Sequence, residues 1–503
     1  MHALLWSACV FLPTLAIAMG DPSSSSLPPD TSHVVTDEDT DWGRAVEWED
    51  LSGRQKTCHD PTASEIQNVD VAILGGGLAG LAVGIGLSRE LPDINFLIYE
   101  KAPQLRSVSQ GIIAVWENGM RALKQIHPDL PSLIKEAGVA WKVLQSTIIA
   151  ANGTTTDTIR DMQAALGVPA PTGITWNKLQ AALASLLSPN HIVGGHSLHS
   201  FVEEDDSILL YFENGAVVRA KALIACDGVF SIARHQMFNN KNDSPIYFGQ
   251  SNWGSIIETN KLPTTPDKYF HPPNAIRTIV GMGEPRWSSF LNDAGSGFTF
   301  WQLRVSDPEK AMALSGNSGR GGLGLSGVKD AILPVARGCE DLATVIQHTP
   351  ESQIFERSIV GRYPLPTWLS KGGKAVLVGD SAHGMHPMIG QGANSAFESV
   401  AAVVQAMVKH QRDGKIEDFA RAFADFESVR KPRADLVQKY ANAAGVRMMT
   451  SNNTQILSDT LQREMSAWGK NGDANMENKP PAAAVEALES FDPCDSPGVS
   501  RLW

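Results

Sequence analysis

Cysteine is scarce. In 503 residues there are five, Cys9, Cys58, Cys226, Cys339 and Cys494, and no two form a Cys-x-x-Cys pair. The spacing on which zinc ribbons and fingers depend is therefore missing, and no metal site is expected. Positive charge is also short: 42 Lys and Arg face 54 Asp and Glu, for a net charge of −12. A nucleic-acid partner, which needs clustered cations, is not expected. One anionic cofactor remains allowed, because backbone N–H groups at a helix start can hold phosphate without a cation. Long uncharged apolar runs are missing too, except at the start, "MHALLWSACVFLPTLAIAMG", which has no Asp, Glu, Lys or Arg. Ala16-Ile17-Ala18 looks like a small-residue cleavage site, although the usual positive leader is replaced by His2 alone. Residues 1–20 read as a signal peptide, with an anchor or a poorly ordered start as the alternative. A secretory or organelle-lumen location follows from that reading, and peripheral membrane contact stays open. Residues 21–64 are acidic and rich in Ser and Pro, the composition of a linker. Sequons at Asn152, Asn242 and Asn452 add little, since such triplets arise by chance.

What is present is a 43% hydrophobic chain, ample for a large core. The run Val69 to Leu74 is apolar and β-branched, broken only by Asp70, and reads as a buried strand. Gly75-Gly76-Gly77-Leu78-Ala79-Gly80 follows, a G-x-G-x-x-G, and then "LAVGIGLSREL" at helical spacing. Strand, glycine turn and helix in that order give a dinucleotide fingerprint its context. Gly75 permits the tight turn, Gly77 lets backbone approach a pyrophosphate, and Gly80 lets the helix lie close to the strand. A second strand, Ile94 to Glu100, ends on Glu100 twenty residues after Gly80, where a carboxylate accepts from ribose hydroxyls, with Lys101 beside it. A second literal match, Gly322-Leu323-Gly324-Leu325-Ser326-Gly327, follows "SGNSGRGG" instead of an apolar strand and reads as a loop.

Two distant stretches extend the pattern. Leu223 to Cys226 reads as a strand ending on Asp227-Gly228, with Arg234 beyond; Ala375 to Val378 is a strand ending on Gly379-Asp380, and Gly390-Gln391-Gly392-Ala393-Asn394 opens a helix. In this set and order the sequence, from about Val69 to Asp435, resembles the single-component FAD-dependent monooxygenases of the aromatic hydroxylase type. Salicylate-type hydroxylases, urate hydroxylase, kynurenine monooxygenase and zeaxanthin epoxidase are of that family. The resemblance implies an α/β chain: a Rossmann-like FAD-binding domain with an inserted, mainly antiparallel β-sheet substrate domain and C-terminal helices. Its parts would be 65–240 and 361–410 for the FAD-binding domain, 241–360 for the substrate sheet, 411–468 for C-terminal helices broken near Pro432, and 469–503 for a polar tail. It implies FAD held by Gly75, Gly77, Leu78, Ala79, Gly80, Glu100, Lys101, Asp227, Asp380 and the turn Gly390, Gln391, Gly392, Ala393 and Asn394. Asp380 would bind the ribityl chain, and the Gly390 turn would present N–H groups to the pyrimidine edge and pyrophosphate. For Asp227 a plain strand-to-loop turn is an equal alternative.

Pro387 resembles the residue bordering the reactive face of the flavin. His386, in "GDSAHGMHP", is a weak catalytic candidate as an acid or base near neutral pH, and His383 reads as structural. Trp176 in "GITWNKLQAAL" departs from the family, which commonly carries Arg there to touch the flavin phosphates; Lys178 points elsewhere on the helix. "SFVEEDDSILLYFENGAVVRAKA" reads as a hairpin turning at Asn214-Gly215. Phe298 and Phe300 share a strand face and, with Trp253, are expected to line an apolar pocket or to be core. The implied activity uses NAD(P)H as co-substrate and O₂ to oxygenate an aromatic or conjugated small molecule through a flavin hydroperoxide. Two alternatives stay open: an epoxidase or reductase of an isoprenoid or polyene, and a flavin-binding protein that no longer turns over. Oligomeric state is not readable.

Overall fold

The computed structural model describes residues 66–450, apart from 107–110, 167–168, 239–242, 244, 264–273, 284, 307–321, 325, 337, 413–414 and 417, together with residues 500–501. The apolar start, the acidic linker, most of the polar tail, three of the cysteines and the Asn242 and Asn452 sequons lie outside the described residues. Cys226 and Cys339 are buried and free. Among the described residues no helix is long and apolar enough to cross a membrane.

The run read as the first strand forms Gln67–Leu74, buried from Val71 to Leu74 on both faces. Such double burial is what a parallel sheet covered by helices demands. Its neighbours are Phe96–Tyr99 and Val217–Ala225, both parallel to it, and Ile192–Val193 extends the Phe96 side. Val217–Ala225 is long enough to serve two partners. Its first half pairs antiparallel with Ile208–Phe212, and its second half pairs parallel with Ala375–Leu377. The hairpin turn at Asn214-Gly215 forms as expected, with Gly215 at φ +86°. The helices Leu78–Glu90 and Gly392–Lys409 pack in one apolar core with this sheet.

The second sheet runs Gly322–Leu323, Phe355–Gly361, Ile246–Glu258, Phe298–Ser306, Arg286–Gly295, Ala275–Gly281, Val143–Ile149, Thr155–Asp161, with Ser500–Arg501 also paired to Ile246–Glu258. It is antiparallel except between Val143–Ile149 and Ala275–Gly281. Two of its strands, Val143–Ile149 and Thr155–Asp161, come from the stretch that the sequence reading assigned to the FAD-binding part. The second G-x-G-x-x-G starts a two-residue strand at the edge of this sheet, antiparallel to Phe355–Gly361.

Strand alternation gives this sheet two unlike faces. Trp253 stands opposite Leu303 and shares the outer core with Trp301 and the helices Val328–Ala336 and Glu340–His348. Phe300 stands opposite Ile256 and packs on the inner side with Phe290, Phe355 and Ile112. The grouping of Trp253 with Phe298 and Phe300 is therefore corrected: Trp253 belongs to the opposite face. The expected break at Pro432 is also absent, because Phe419–Thr450 is one helix with Pro432 inside it. Buried Arg430, Ala434 and Val437 on either side anchor both halves and outweigh the hydrogen bond that proline removes.

Candidate cofactor site

Three motifs far apart in sequence meet at one place. A β-carbon on Gly75 would stand 2.6 Å from the Cys226 carbonyl oxygen, and one on Gly379 would stand 3.1 Å from Ala79 Cβ. Gly75 and Gly379 adopt φ +91° and +75°, which side chains rarely tolerate. A β-carbon on Gly80 would lie 1.9 Å from the Gly75 carbonyl oxygen, so only glycine lets the helix start this close to the strand. Gly77 is different: its missing side chain would meet nothing within 4 Å. That emptiness lies at the start of the Leu78–Glu90 helix, whose first N–H groups have no partner within the helix.

Glu100 follows the end of Phe96–Tyr99 and is half-buried. Its Oε2 accepts from Gly76 N at 2.7 Å and its Oε1 from Ala102 N at 2.9 Å. A carboxylate offers about four acceptor positions, so both bonds leave capacity for a ligand hydroxyl. Leu78 is buried, Ala79 is half-buried beside Gly379, and Lys101 is exposed. Gln180 donates to the Gly76 carbonyl at 2.7 Å, fixing the turn from the Trp176–Ala184 helix.

Asp227 Oδ2 accepts from Ala233 N at 3.1 Å across the start of Ile232–Phe238. Its Oδ1 is buried without a partner, and burial pushes its carboxyl up, against opposing hydrogen bonds from Ser231 and nearby backbone. Arg234, fully buried, donates Nη1 to the carbonyls of Ser381 and Ala382 at 3.1 and 3.0 Å while Asp243 takes its Nε. The second motif is thereby bolted to the third. Asp380 is exposed at the start of the short helix Asp380–His383, next to the residues Arg234 holds.

Gly390 adopts the left-handed conformation at φ +62°, and Gly392 begins the long helix with open space where a side chain would be. The polar side chains of this turn are tied to neighbouring segments. Gln391 accepts from Asn118 at 3.0 Å. Asn394 accepts from Trp116 N and donates to the Ala114 and Gly390 carbonyls, all at 2.9–3.0 Å. With the Asn394 amide spent on these bonds, what Gly390, Gly392, Ala393 and Asn394 can offer a ligand is backbone. Behind them Asn118 also reaches Glu398 at 2.7 Å, and Glu398 receives a two-pronged bond from Arg433 at 2.8 and 2.9 Å. Burial opposes charge on Glu398, but Arg433 and Arg430 hold its carboxyl down at about 2.

His386 is fully buried. Its Nδ1 accepts from Met388 N at 3.1 Å, which places the ring proton on Nε2, 3.2 Å from Gln250 Oε1. Burial, with Arg304 nearby, keeps its pKa well below the ordinary value, so the ring is neutral. This geometry has His386 shaping the turn that exposes Pro387. His383 is likewise buried, bonded to Ser399 Oγ at 2.9 Å and held down at about 3 by burial.

Sequence reasoning missed Arg106. Its guanidinium lies 4.6 Å from the centre of the Trp176 ring, so a cation does stand beside the position where the family commonly has Arg. Its backbone N–H donates to Gln180 Oε1 at 3.1 Å, which ties it to the glycine turn. Seventy residues separate the stacked pair, and no local pattern announces it. Lys178 instead donates to Ser296 Oγ at 3.0 Å.

These residues fit a dinucleotide. Empty space at Gly77 and Gly392, two helix starts, the unspent capacity of Glu100 and the exposed carboxylate of Asp380 together suit phosphates and hydroxyls. Among the described residues no group of His, Cys, Asp and Glu is arranged to hold a metal ion.

No protein-family model matches the chain. It is 26% identical over 370 residues to aurachin C monooxygenase/isomerase of Stigmatella aurantiaca, covering 73% of this chain and 86% of that protein. It is 25% identical over 379 residues to 3-amino-4-hydroxybenzoate 2-monooxygenase of Streptomyces cremeus, covering 75% and 86%. Against the chloroplastic zeaxanthin epoxidase of Spinacia oleracea it is 24% identical over 78% of this chain but only 57% of that protein. In fold it is similar to Klebsiella pneumoniae HpxO complexed with FAD and uric acid, with a TM-score of 0.63 at 19% identity over 87% of this chain and all of that one. By sequence and by fold, the chain is a relative of the FAD-dependent monooxygenases, which are oxidoreductases.

Proposed function

We propose that the chain binds FAD, takes electrons from NAD(P)H and uses O₂ to hydroxylate an aromatic or other conjugated small molecule. The observation that carries this reading is the meeting of Gly75–Gly80, Asp227–Arg234 and Gly379–Asp380 at one junction, with space left at Gly77. FAD supplies the electron transfer and oxygen chemistry when bound. The chain's own residues bind, orient and shield. Amides at the starts of Leu78–Glu90 and Gly392–Lys409 attract anionic groups, and both helix dipoles add to that attraction. Glu100 and Asp380 accept from sugar hydroxyls. Pro387 and the inner face of the second sheet form the walls between which a substrate lies, and Phe290, Phe300 and Phe355 exclude water from that space.

The test is a panel of phenolic, aromatic-acid and polyene compounds, scored for stimulated NAD(P)H consumption by the FAD-loaded protein in air. Incorporation of one atom from labelled O₂ into product is the expected result. Turnover that proceeds equally well without oxygen overturns it in favour of a reductase. The apolar inner-face group Ile256, Phe290, Phe300 and Phe355 also suits a polyene, for which the same oxygen transfer yields an epoxide. Product analysis separates the two.

A further inference from the structure

Five arginines among the described residues are at least nine-tenths buried, and four of them face a carboxylate. Arg234 and Arg362 share Asp243, Arg277 meets Asp341, and Arg430 meets Glu398. Arg304 is the exception. It is 2% exposed, its guanidinium donates to the thioether of Met388 at 3.9 Å beside the neutral ring of His386, and its Nε is buried with no partner. A thioether is a weak acceptor and cannot offset the removal of a guanidinium from water. Burial pulls the Arg304 pKa down only to about 10, so the group stays charged at neutral pH.

The position of Arg304 says what is missing. It lies on the strand Phe298–Ser306 with the parity of Phe300, so it belongs to the inner face. Directly opposite is Asn252, whose Oδ1 is also buried and unpartnered. The two orphaned groups do not satisfy each other. Met388, which Arg304 touches, adjoins exposed Pro387. The wall around them is not closed: Gln302, Ile256, Phe290 and Met388 are all partly exposed.

Resting on the function proposed above, we infer that Arg304 anchors an anionic oxygen of the substrate, a carboxylate or an ionised phenol or enol, with Asn252 accepting from a neighbouring hydroxyl or N–H. The substrate class is then an acidic aromatic or enolic compound and not a neutral hydrocarbon. Charge-assisted bonds to a buried guanidinium discriminate against the neutral isostere by about tenfold to a hundredfold.

The test uses the FAD-loaded protein and calorimetric titration with benzoate, 2-hydroxybenzoate, 4-hydroxybenzoate and 3-hydroxybenzoate, each against its amide. Heat of binding needs no turnover, and FAD retention is read separately from absorbance. A protein that holds no flavin refutes the function proposed above, whereas flavin-free protein titrated the same way still reports on the anion site. The expected result is at least one acid bound about tenfold or more tightly than its amide. R304Q should lose that preference while keeping FAD, and R304K should recover part of it, since a point charge replaces only part of the forked geometry. R304K also serves if R304Q fails to fold, as should N252A, which should weaken the hydroxybenzoates more than benzoate. Equal binding of acids and amides, no binding of any acid at millimolar concentration, or an acid preference that survives in R304Q overturns the proposal.

Discussion

At the residue scale, the glycines of the first turn do separable work, and substitutions should separate it. Gly80→Ala puts a methyl group 1.9 Å from the Gly75 carbonyl, so the helix must move off the strand. The expected loss is about 1–3 kcal/mol of stability, the cost of overpacking, seen as a lower denaturation midpoint without any ligand. Glu356 offers a second residue-scale outcome. It is 3% exposed, stands opposite Trp253 on the outer face, and burial pushes its pKa up to about 7 against a smaller pull from Trp253. A raised carboxyl pKa means that the folded state holds the proton longer than the unfolded state does. Stability should therefore fall as pH rises from about 4.5 to 7, by on the order of 3 kcal/mol. Glu356→Gln should remove that slope, leaving the variant more stable than the parent above pH 7 and similar to it below pH 4.5. Chemical denaturation across that range is the measurement; an unchanged slope refutes the assignment. The roles of Glu100 and the glycine turn were readable because they depend on local chain geometry and a fixed spacing. Arg106, Trp116 and Gln180 were not, because each acts on a partner distant in sequence.

At the element scale, the Gly392–Lys409 helix is positioned by charge as much as by apolar contact. Glu398 ties it through Arg430 and Arg433 to Phe419–Thr450 and through Asn118 to the Gln391 turn. Glu398→Ala leaves two buried or half-buried guanidinium groups without their carboxylate and should cost about 3–5 kcal/mol. The pH dependence runs opposite to that of Glu356. Its carboxyl is held down at about 2, so its contribution is complete above about 4.5 and fades as pH falls toward 2. Acid unfolding of the parent should be steeper in that window than that of Glu398→Gln, and identical profiles would contradict the pairing. Strand existence was legible from alternation and apolar runs, and so was the Asn214-Gly215 hairpin. Which face Trp253 takes was not, because register decides it, and the pairing of Ile246–Glu258 with Phe355–Gly361 shifts between Tyr247 and Ser251. Pro432 misled for a related reason: a local breaker was overruled by burial on both sides.

At the scale of the whole molecule, a branched mixed sheet brings three glycine-bearing ends of its parallel strands together and sets a second sheet over the junction. The long strand Val217–Ala225 makes this possible by pairing with Gln67–Leu74 on one edge while exchanging partners along the other. Its second half leads to Asp227 and lies between the strand that ends just before Gly75 and the one that leads to Gly379-Asp380. The order of motifs was visible in the sequence, but their convergence needed the pairing. The central claim is that backbone exposed at Gly77 receives the pyrophosphate of FAD, and fluorescence titration of FAD into Gly77→Val tests it directly. Because nothing lies within 4 Å of a β-carbon at that position, the variant should fold, losing about 1 kcal/mol for replacing the glycine that caps the helix. The predicted result is an FAD dissociation constant raised about tenfold or more over the parent, with Asp380→Ala weakened as well. Full FAD affinity in a folded Gly77→Val protein would contradict it.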